Sequence, residues 1–427
     1  MKIGIVTACT DPDQVLVARA YAGALTPSHQ VFIYQQGGGD LQWEPYEARS
    51  GKMGAFSRPD AIDWTDFRGW INLNHLDAVL FNRPYDWATA LKCMDLDLLS
   101  GACIGDITSE TIPFYRLFDF LICHNLRDYN LFHNHPQAMY IPWGTDLDLF
   151  QPQPRFNPSG GVRFFHIARL GNLKDTRLLA RAFRQVRGNV QLIIHAPGGL
   201  DRLGRVCSLP KDDPRVTLYG SWVPAPGLYF LGDVYVHPAR RENVGATIAE
   251  ALACGLPVIA ADSPPMNEFI RENYNGKEVA VEHSEAHSGG DFWPDRICWE
   301  MSLTQAMQYY ADRPEQVASQ KVQARRYAAD HLDWKANSAP IAKMIAGMRR
   351  LPRSRAVRAA AGQFARARLG EGYLAAAEVA SLARRPQAAL QRLLAAVWYS
   401  PARLVDTRAA RVAFHTLARA ARPGLKQ

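Results

Sequence analysis

The chain has 427 residues, of which 48% are hydrophobic and 21% charged, with a formal net charge of +8. This excludes a disordered chain and leaves room for two cores. No apolar run approaches the roughly 20 residues that span a bilayer. The seven cysteines are scattered without a C-x-x-C pair, which speaks against a zinc site or a disulfide framework and for buried free thiols.

Charge is unevenly placed. From Arg349 to Gln427 there are 16 Lys and Arg against 3 Asp and Glu, whereas residues 1–348 hold 33 against 38. The basic balance belongs to the tail, so nucleic acid is not an expected partner of the main body. An anionic partner is expected at the C-terminal end.

In chain order, MKIGIVTA is too short and too soon broken by CTDPD for a secretory signal. It predicts a first strand and a cytoplasmic location. A helix over Asp13–Leu25 and a strand over Gln30–Gln35 follow, then a turn-rich stretch from Gly37 to Trp64. Strands are predicted at DAVLFNRP and GACIGDI, with a helix over Asp86–Ser100 between them, and again at FDFLICHN and AMYIPWG. Such alternation predicts a parallel α/β sheet. Pro152–Gly161, PQPRFNPSGG, reads as a hinge. A second sheet then begins: VRFFHIA, VQLIIHA, RVTLYGS, GDVYVHPA and GLPVIAA, with helices over Asp175–Val186 and Gly245–Cys254. Two such units predict a cleft, with ligands beyond the carboxyl ends of the strands. After Trp299 the pattern turns helical. Gly372–Leu404 resembles one unit of a tetratricopeptide repeat, read as an appended helical hairpin.

The segment Arg241–Pro257, RENVGATIAEALACGLP, carries the chemistry. Glu242 lies in a loop and Glu250 one turn into a helix that starts near Ala246. Amides at a helix start receive anionic or hydroxyl-rich ligands, Gly245 has no side chain in the way, and a carboxylate accepts from two neighbouring hydroxyls, as on a ribose or sugar. Arg169 and Lys174, in a strand-to-helix loop, are suited to neutralising a diphosphate leaving group.

Val234–Ile270 resembles the nucleotide-sugar site of retaining GT-B glycosyltransferases of family 4, which carry two glutamates eight apart and a helix reading E-A-x-A-C-G-x-P-V. Phe164–Phe183, Tyr140–Phe150 and Leu332–Ile345 resemble further segments of that family, in the last case its closing helix. The resemblance implies an α/β GT-B fold: two Rossmann-like domains facing a cleft, plus a C-terminal helical extension. Its domains would be 1–152 for the acceptor, 153–330 for the nucleotide-sugar, a closing helix over 331–348 packed on the first domain, and a basic helical tail over 349–427. It implies that Glu242 contacts the donor sugar, Glu250 the ribose, and Arg169 with Lys174 the diphosphate. Amides around Asn243, Val244, Gly245 and Ala246 would face the diphosphate and sugar. It implies no cofactor and no metal.

Departures from the family are visible. The loop Cys9–Pro12 lacks a glycine, Asp106 stands where relatives often place a histidine, and His195 stands where a glycine is common. Asp106 is suited either to a sugar hydroxyl or acceptor contact or, through Thr108 and Ser109, to helix capping. His124, His133 and His135 are expected on a helix surface rather than around a metal. The absence of a phosphate-binding Walker loop and of G-x-G-x-x-G after the first strand argues against a kinase or dehydrogenase.

The expected function is transfer of a sugar from a nucleotide-sugar to a glycan or lipid-linked acceptor, in cell-surface polysaccharide or glycolipid synthesis. The basic tail would then touch the anionic inner face of the membrane. The competing readings are a non-catalytic nucleotide-sugar-binding or scaffold protein and an epimerase of the same fold.

Overall fold

A computed structural model gives the fold and describes residues 1–8, 12–36, 43–51, 62–83, 86–105, 107–154, 157, 160–169, 175–200, 213–286, 291–383, 385–401 and 406–420. The first sheet contains β1 (Lys2–Ala8), β2 (Gln30–Gln36), β3 (Glu47–Ser50), β4 (Ala78–Asn82), β5 (Leu99–Cys103), β6 (Phe120–Cys123) and β7 (Ala138–Tyr140). Its order is β3-β2-β1-β4-β5-β6-β7. The second contains β8 (Val162–Ile167), β9 (Val190–His195), β10 (Val216–Tyr219), β11 (Val234–His237), β12 (Val258–Ala261) and β13 (Gly276–Val279), in the order β10-β9-β8-β11-β12-β13. An antiparallel pair, β14 (Val281–Glu285) and β15 (Asp295–Cys298), stands apart from both. The helices are α1 (Pro12–Leu25), α2 (Trp64–Asn74), α3 (Trp87–Cys93), α4 (Leu126–Phe132), α5 (Thr176–Gln185), α6 (Ala246–Ala253), α7 (Glu300–Asp312), α8 (Pro314–His331), α9 (Trp334–Ser338), α10 (Ile341–Ala346), α11 (Arg355–Leu382), α12 (Pro386–Tyr399) and α13 (Thr407–Ala420).

The chain forms two compact units, one of Met1–Cys103, Glu110–Leu121 and Ile341–Gln427, the other of Ile104–Ser109 and Ile122–Pro340. In the first, β1 and β4 are buried along nearly their whole length, as strands of a parallel sheet covered on both faces must be. Tyr34 packs edge-on to Phe67 of α2, with ring centroids 4.8 Å apart. The helix expected over 86–100 ends at Cys93, and Leu99 and Ser100 join β5. A buried carboxylate explains this: Asp119 accepts from Ser100 N at 2.8 Å and from Ser100 Oγ at 3.1 Å.

That same carboxylate anchors the returning chain. Leu351 N donates to Asp119 at 3.0 Å, and Arg353 pairs with Asp119 at 2.8 Å while also donating to the carbonyls of Leu117 and Met94. Beyond it the tail builds its own small core from Leu374, Ala377, Ala396, Ala409 and Val412. The expected hairpin is therefore extended by a third helix, α13, tied on by Arg408 to Glu378 at 2.7 and 2.6 Å.

In the second unit, Arg163 of β8 and Lys321 of α8 converge on Asp233, at 2.9 and 2.5 Å. Burial pushes the Asp233 carboxyl up, but the two cations outweigh it and hold it below its ordinary value. Cys93, Cys103, Cys123, Cys254 and Cys298 are buried free thiols. Cys9 and Cys207 lie outside the described residues.

Asp233→Asn strands the Arg163 guanidinium in a buried setting, and the expected loss of stability at neutral pH is roughly 3–5 kcal/mol, read by denaturant unfolding. Because the folded-state value of Asp233 is depressed, the wild type holds this contribution above the ordinary carboxylate range. It loses the contribution as pH falls through the folded value. The gap between wild type and variant should therefore narrow only in that acid window.

Candidate active site

The site begins with two adjacent strands. In the β8–β11 pairing, Val234 stands opposite Phe164 and Tyr235 opposite Phe165, so the strands end side by side at Ile167 and His237. Arg169 emerges two residues beyond Ile167 and is exposed. Glu242 lies five residues beyond His237, in the loop that leads to α6. Lys174 and Asp106 lie outside the described residues.

Glu242 is held from behind. His237 is fully buried at the end of β11, and its Nε2 lies 3.1 Å from Glu242 Oε1. Its Nδ1 lies 3.2 Å from the Tyr235 hydroxyl and 3.5 Å from Thr247 Oγ1. Burial pushes the Tyr235 phenol well up, so its hydroxyl stays protonated. A carboxylate only accepts, so the Nε2–H of His237 donates to Glu242.

Glu250 is fixed differently. It lies on α6, and the buried Tyr229 hydroxyl donates to its Oε2 at 2.5 Å. Burial, with the Glu250 charge beside it, raises the Tyr229 phenol far above its ordinary value, so this donor too is permanent. Between the two glutamates, Asn243 is exposed, Val244 buried, and Gly245 is the N-cap of α6 at φ 72°, with no side-chain cap on the helix start. The start of α6, at Ala246 and Thr247, thus carries no side-chain cap, and the free amides of a helix start are groups that receive an anion.

Four successive residues of the loop, 240 to 243, are tied down. Arg240 Nε reaches Asp175 at 2.8 Å; Asp175 caps α5 through Leu178 N and directly follows Lys174 in the chain. Arg241 pairs with Asp291 at 2.8 Å. Arg127 Nη1 donates to the Glu242 carbonyl at 3.1 Å and Asn125 Nδ2 to the Asn243 carbonyl at 2.8 Å. His195 closes β9 by a 2.9 Å contact of Nε2 with the Ser221 carbonyl.

His124 and His135 are buried, correcting the helix-surface expectation, while His133 is exposed. His124 precedes α4, its Nδ1 lies 3.1 Å from the Ile141 carbonyl, and its ring packs edge-on to Trp143 and Trp334. Among the described residues no group of three His, Cys, Asp or Glu side chains is placed to hold a metal ion.

Sequence reasoning missed His237, Tyr229 and Asp175. His237 had one legible sign, its place at the end of a buried strand just ahead of the glutamate loop. The other two, Tyr229 and Asp175, act through contacts 21 and 65 positions away in the chain.

Gly245 serves two constraints. A side chain there would sit in the left-handed region, and its Cβ would come within 2.8 Å of the Phe269 ring. Gly245→Ala should therefore lower stability by about 2 kcal/mol or more, measured by thermal unfolding, since the left-handed backbone alone costs roughly 1–2 kcal/mol.

Residues 161–288, which include Arg169, Lys174, Glu242 and Glu250, match the family described as Glycosyl transferases group 1. A GDP-mannose-dependent alpha-(1-6)-phosphatidylinositol monomannoside mannosyltransferase of Mycolicibacterium smegmatis is 25% identical over 232 residues, covering 49% of this chain and 56% of that protein. A GDP-mannose-dependent alpha-mannosyltransferase of the same organism is 32% identical over 152 residues, 34% of this chain and 39% of that one. The chain thus spans about four- to six-tenths of the length of these relatives. Among solved structures, sucrose-phosphate synthase of Thermosynechococcus elongatus superposes with a TM-score of 0.64 at 16% identity, over 81% of this chain and 98% of that one. HepE of Anabaena in complex with UDP-glucose superposes at 0.63 with 16% identity, over 81% and 99%. The fold is accordingly that of the GT-B glycosyltransferases, two Rossmann-like parallel sheets followed by a helical region.

Proposed function

We propose that the chain is a retaining glycosyltransferase of family 4 that moves a sugar from a nucleotide-sugar to an acceptor hydroxyl. The observation that carries this reading is the pairing of Glu242 on His237 and Glu250 on Tyr229 around the uncapped start of α6. In it, the ribose rests on Glu250, the sugar meets Glu242, and the amides from Asn243 to Ala246 face the diphosphate. Arg169 and Lys174 take up charge as the bond between the anomeric carbon and the phosphate oxygen breaks. The electron pair leaves with the nucleoside diphosphate, the acceptor oxygen bonds to the anomeric carbon, and its proton passes to the departing phosphate. Cations and helix amides supply the electrostatics, so no metal enters this reaction, and Asp106 is assigned to the sugar or acceptor. Residues 153–330 serve as the nucleotide-sugar domain, residues 1–152 as the acceptor domain and 331–348 as the closing segment.

The names of the relatives support a GDP- or UDP-linked donor, and one of them acts on a phosphatidylinositol mannoside. Glu242→Gln and Lys174→Ala should each lower transfer by roughly 100-fold or more with little change in melting temperature. Wild-type turnover in both variants would defeat the reading. A melting screen with GDP-mannose and UDP-glucose identifies the base: a donor at 100 times its Kd adds about 2.7 kcal/mol to the folded state.

A lipid-linked acceptor fits the tail. No described helix is long and apolar enough to cross a membrane. Yet the basic tail exposes Leu382, Leu394, Trp398, Phe414 and Leu417, with Trp398 at 81%. Leu394 and Trp398 are four apart on α12, and Phe414 and Leu417 three apart on α13, so each pair shares a helix face. Apolar anchors amid arginines are the chemistry of peripheral attachment to an anionic surface, and they support a proposed location on the inner face of the membrane. The full chain should float with vesicles containing phosphatidylserine and not with neutral ones. A variant carrying Leu394→Ser, Trp398→Ser and Phe414→Ser should stay in the pellet fraction, and equal flotation of the two would remove the idea.

A further inference from the structure

The β14–β15 arm makes little core of its own. Past Val281 every residue of β14 is exposed. Its other contacts converge on one place. Arg296 N donates to the Arg240 carbonyl at 2.8 Å, and Asp291 pairs with Arg241 Nη1 at 2.8 Å, with Asp295 3.9 Å from the Nε of that guanidinium. The Trp293 ring lies under the Arg127 guanidinium, 4.7 Å from its centroid, and Arg127 in turn donates to the Glu242 carbonyl. The arm's own position is set by Phe292 N, which donates to the Ile107 carbonyl at 2.7 Å.

Three successive loop residues, Arg240, Arg241 and Glu242, are therefore gripped directly or through one cation by an element that otherwise reaches into solvent. The cation over the Trp293 face and the hydrogen bond from Arg296 N to the Arg240 carbonyl are directional contacts that fix the loop in angle as well as in distance, while Asp291 and Asp295 hold the Arg241 guanidinium by charge. We propose that the arm is a positioning device for Glu242, with Asp291 and Trp293 as positioning residues that aim its carboxylate at the donor sugar. This rests on the glycosyltransferase reading above. The ribose is assigned to Glu250, which Tyr229 holds, whereas the arm's contacts named here go to Arg240, Arg241 and Arg127; the arm is thus proposed to govern the reacting end of the donor and not its affinity for the base.

The test uses the full chain with GDP-mannose and UDP-glucose as probes, following donor hydrolysis, binding of GDP and UDP by calorimetry, and amide hydrogen exchange over residues 240–246. Trp293→Leu and the pair Asp291→Asn with Asp295→Asn should lower the hydrolytic kcat about 10- to 100-fold, the scale of loss from a displaced catalytic group. Nucleotide Kd should stay within about twofold, and exchange over 240–246 should rise severalfold in both. Trp293→Phe, which keeps a ring face under Arg127, should restore most of both readouts. Unchanged exchange and kcat in Trp293→Leu, beside a Glu242→Gln variant that is impaired, would overturn the positioning role and leave the transferase reading standing. Equal loss of kcat and nucleotide affinity would overturn it as well, by showing a merely structural arm. Raised exchange over 240–246 with Glu242→Gln hydrolysing donor like wild type would instead uphold the brace and defeat the transferase reading.

Discussion

The hydrogen bond from His237 to Glu242 carries the stiffness of a parallel sheet into a loop. Loops that bear functional side chains are ordinarily the most mobile parts of a fold, and a carboxylate on a free loop samples many positions. Here the imidazole is buried at the last residue of β11, locked by Tyr235, and presents one proton to one oxygen. Each neutral tie of this kind adds only about 1 kcal/mol to folding. Its larger effect is to narrow the distribution of the side chain that it holds. The contacts to Arg240, Arg241 and the Glu242 carbonyl do the same for the backbone beneath it.

Glu250 reaches rigidity by another route. It is part of a helix, so its backbone needs no bracing, and one phenol suffices to fix the side chain. The two glutamates thus differ in how they are built although the sequence writes them alike. The turn between them depends on Gly245, whose left-handed backbone lets the chain enter α6 with no side-chain cap on its first amides. Arg240 adds a link across the sheet edge by binding Asp175, the anchored residue next to Lys174. Among the described residues, the loop with the glutamates is fastened through Arg240 to Asp175.

The parallel sheets and the glutamate pair could be read from the chain because both are written locally. Buried strands are continuous apolar runs, and a carboxylate in a strand–loop–helix unit is a pattern of adjacent residues. What escaped reading depends on partners far apart in sequence. The start of β5 at Leu99 and Ser100 needed Asp119, the burial of His124 needed Trp143 and Trp334, and the role of His237 required knowing that its ring turns toward Glu242. The β14–β15 pair gave no alternating pattern, since VEHSE is exposed almost throughout, and an element without a buried face leaves little trace in composition. The third helix of the tail joins through Arg408 and Glu378, a pairing 30 positions apart that no periodicity announces.

The salt bridge between Asp119 and Arg353 gives the chain an order of assembly. These residues are 234 positions apart, and a ribosome adding about 5–20 residues per second needs roughly 10–50 seconds to cover that interval. Throughout it, the carboxylate beneath β5 has no guanidinium to meet, while the whole second sheet emerges with its own strands consecutive. The unit begun first is thus the one closed last: the strands of its sheet are all made by Tyr140, yet its tail arrives only after the second sheet is complete.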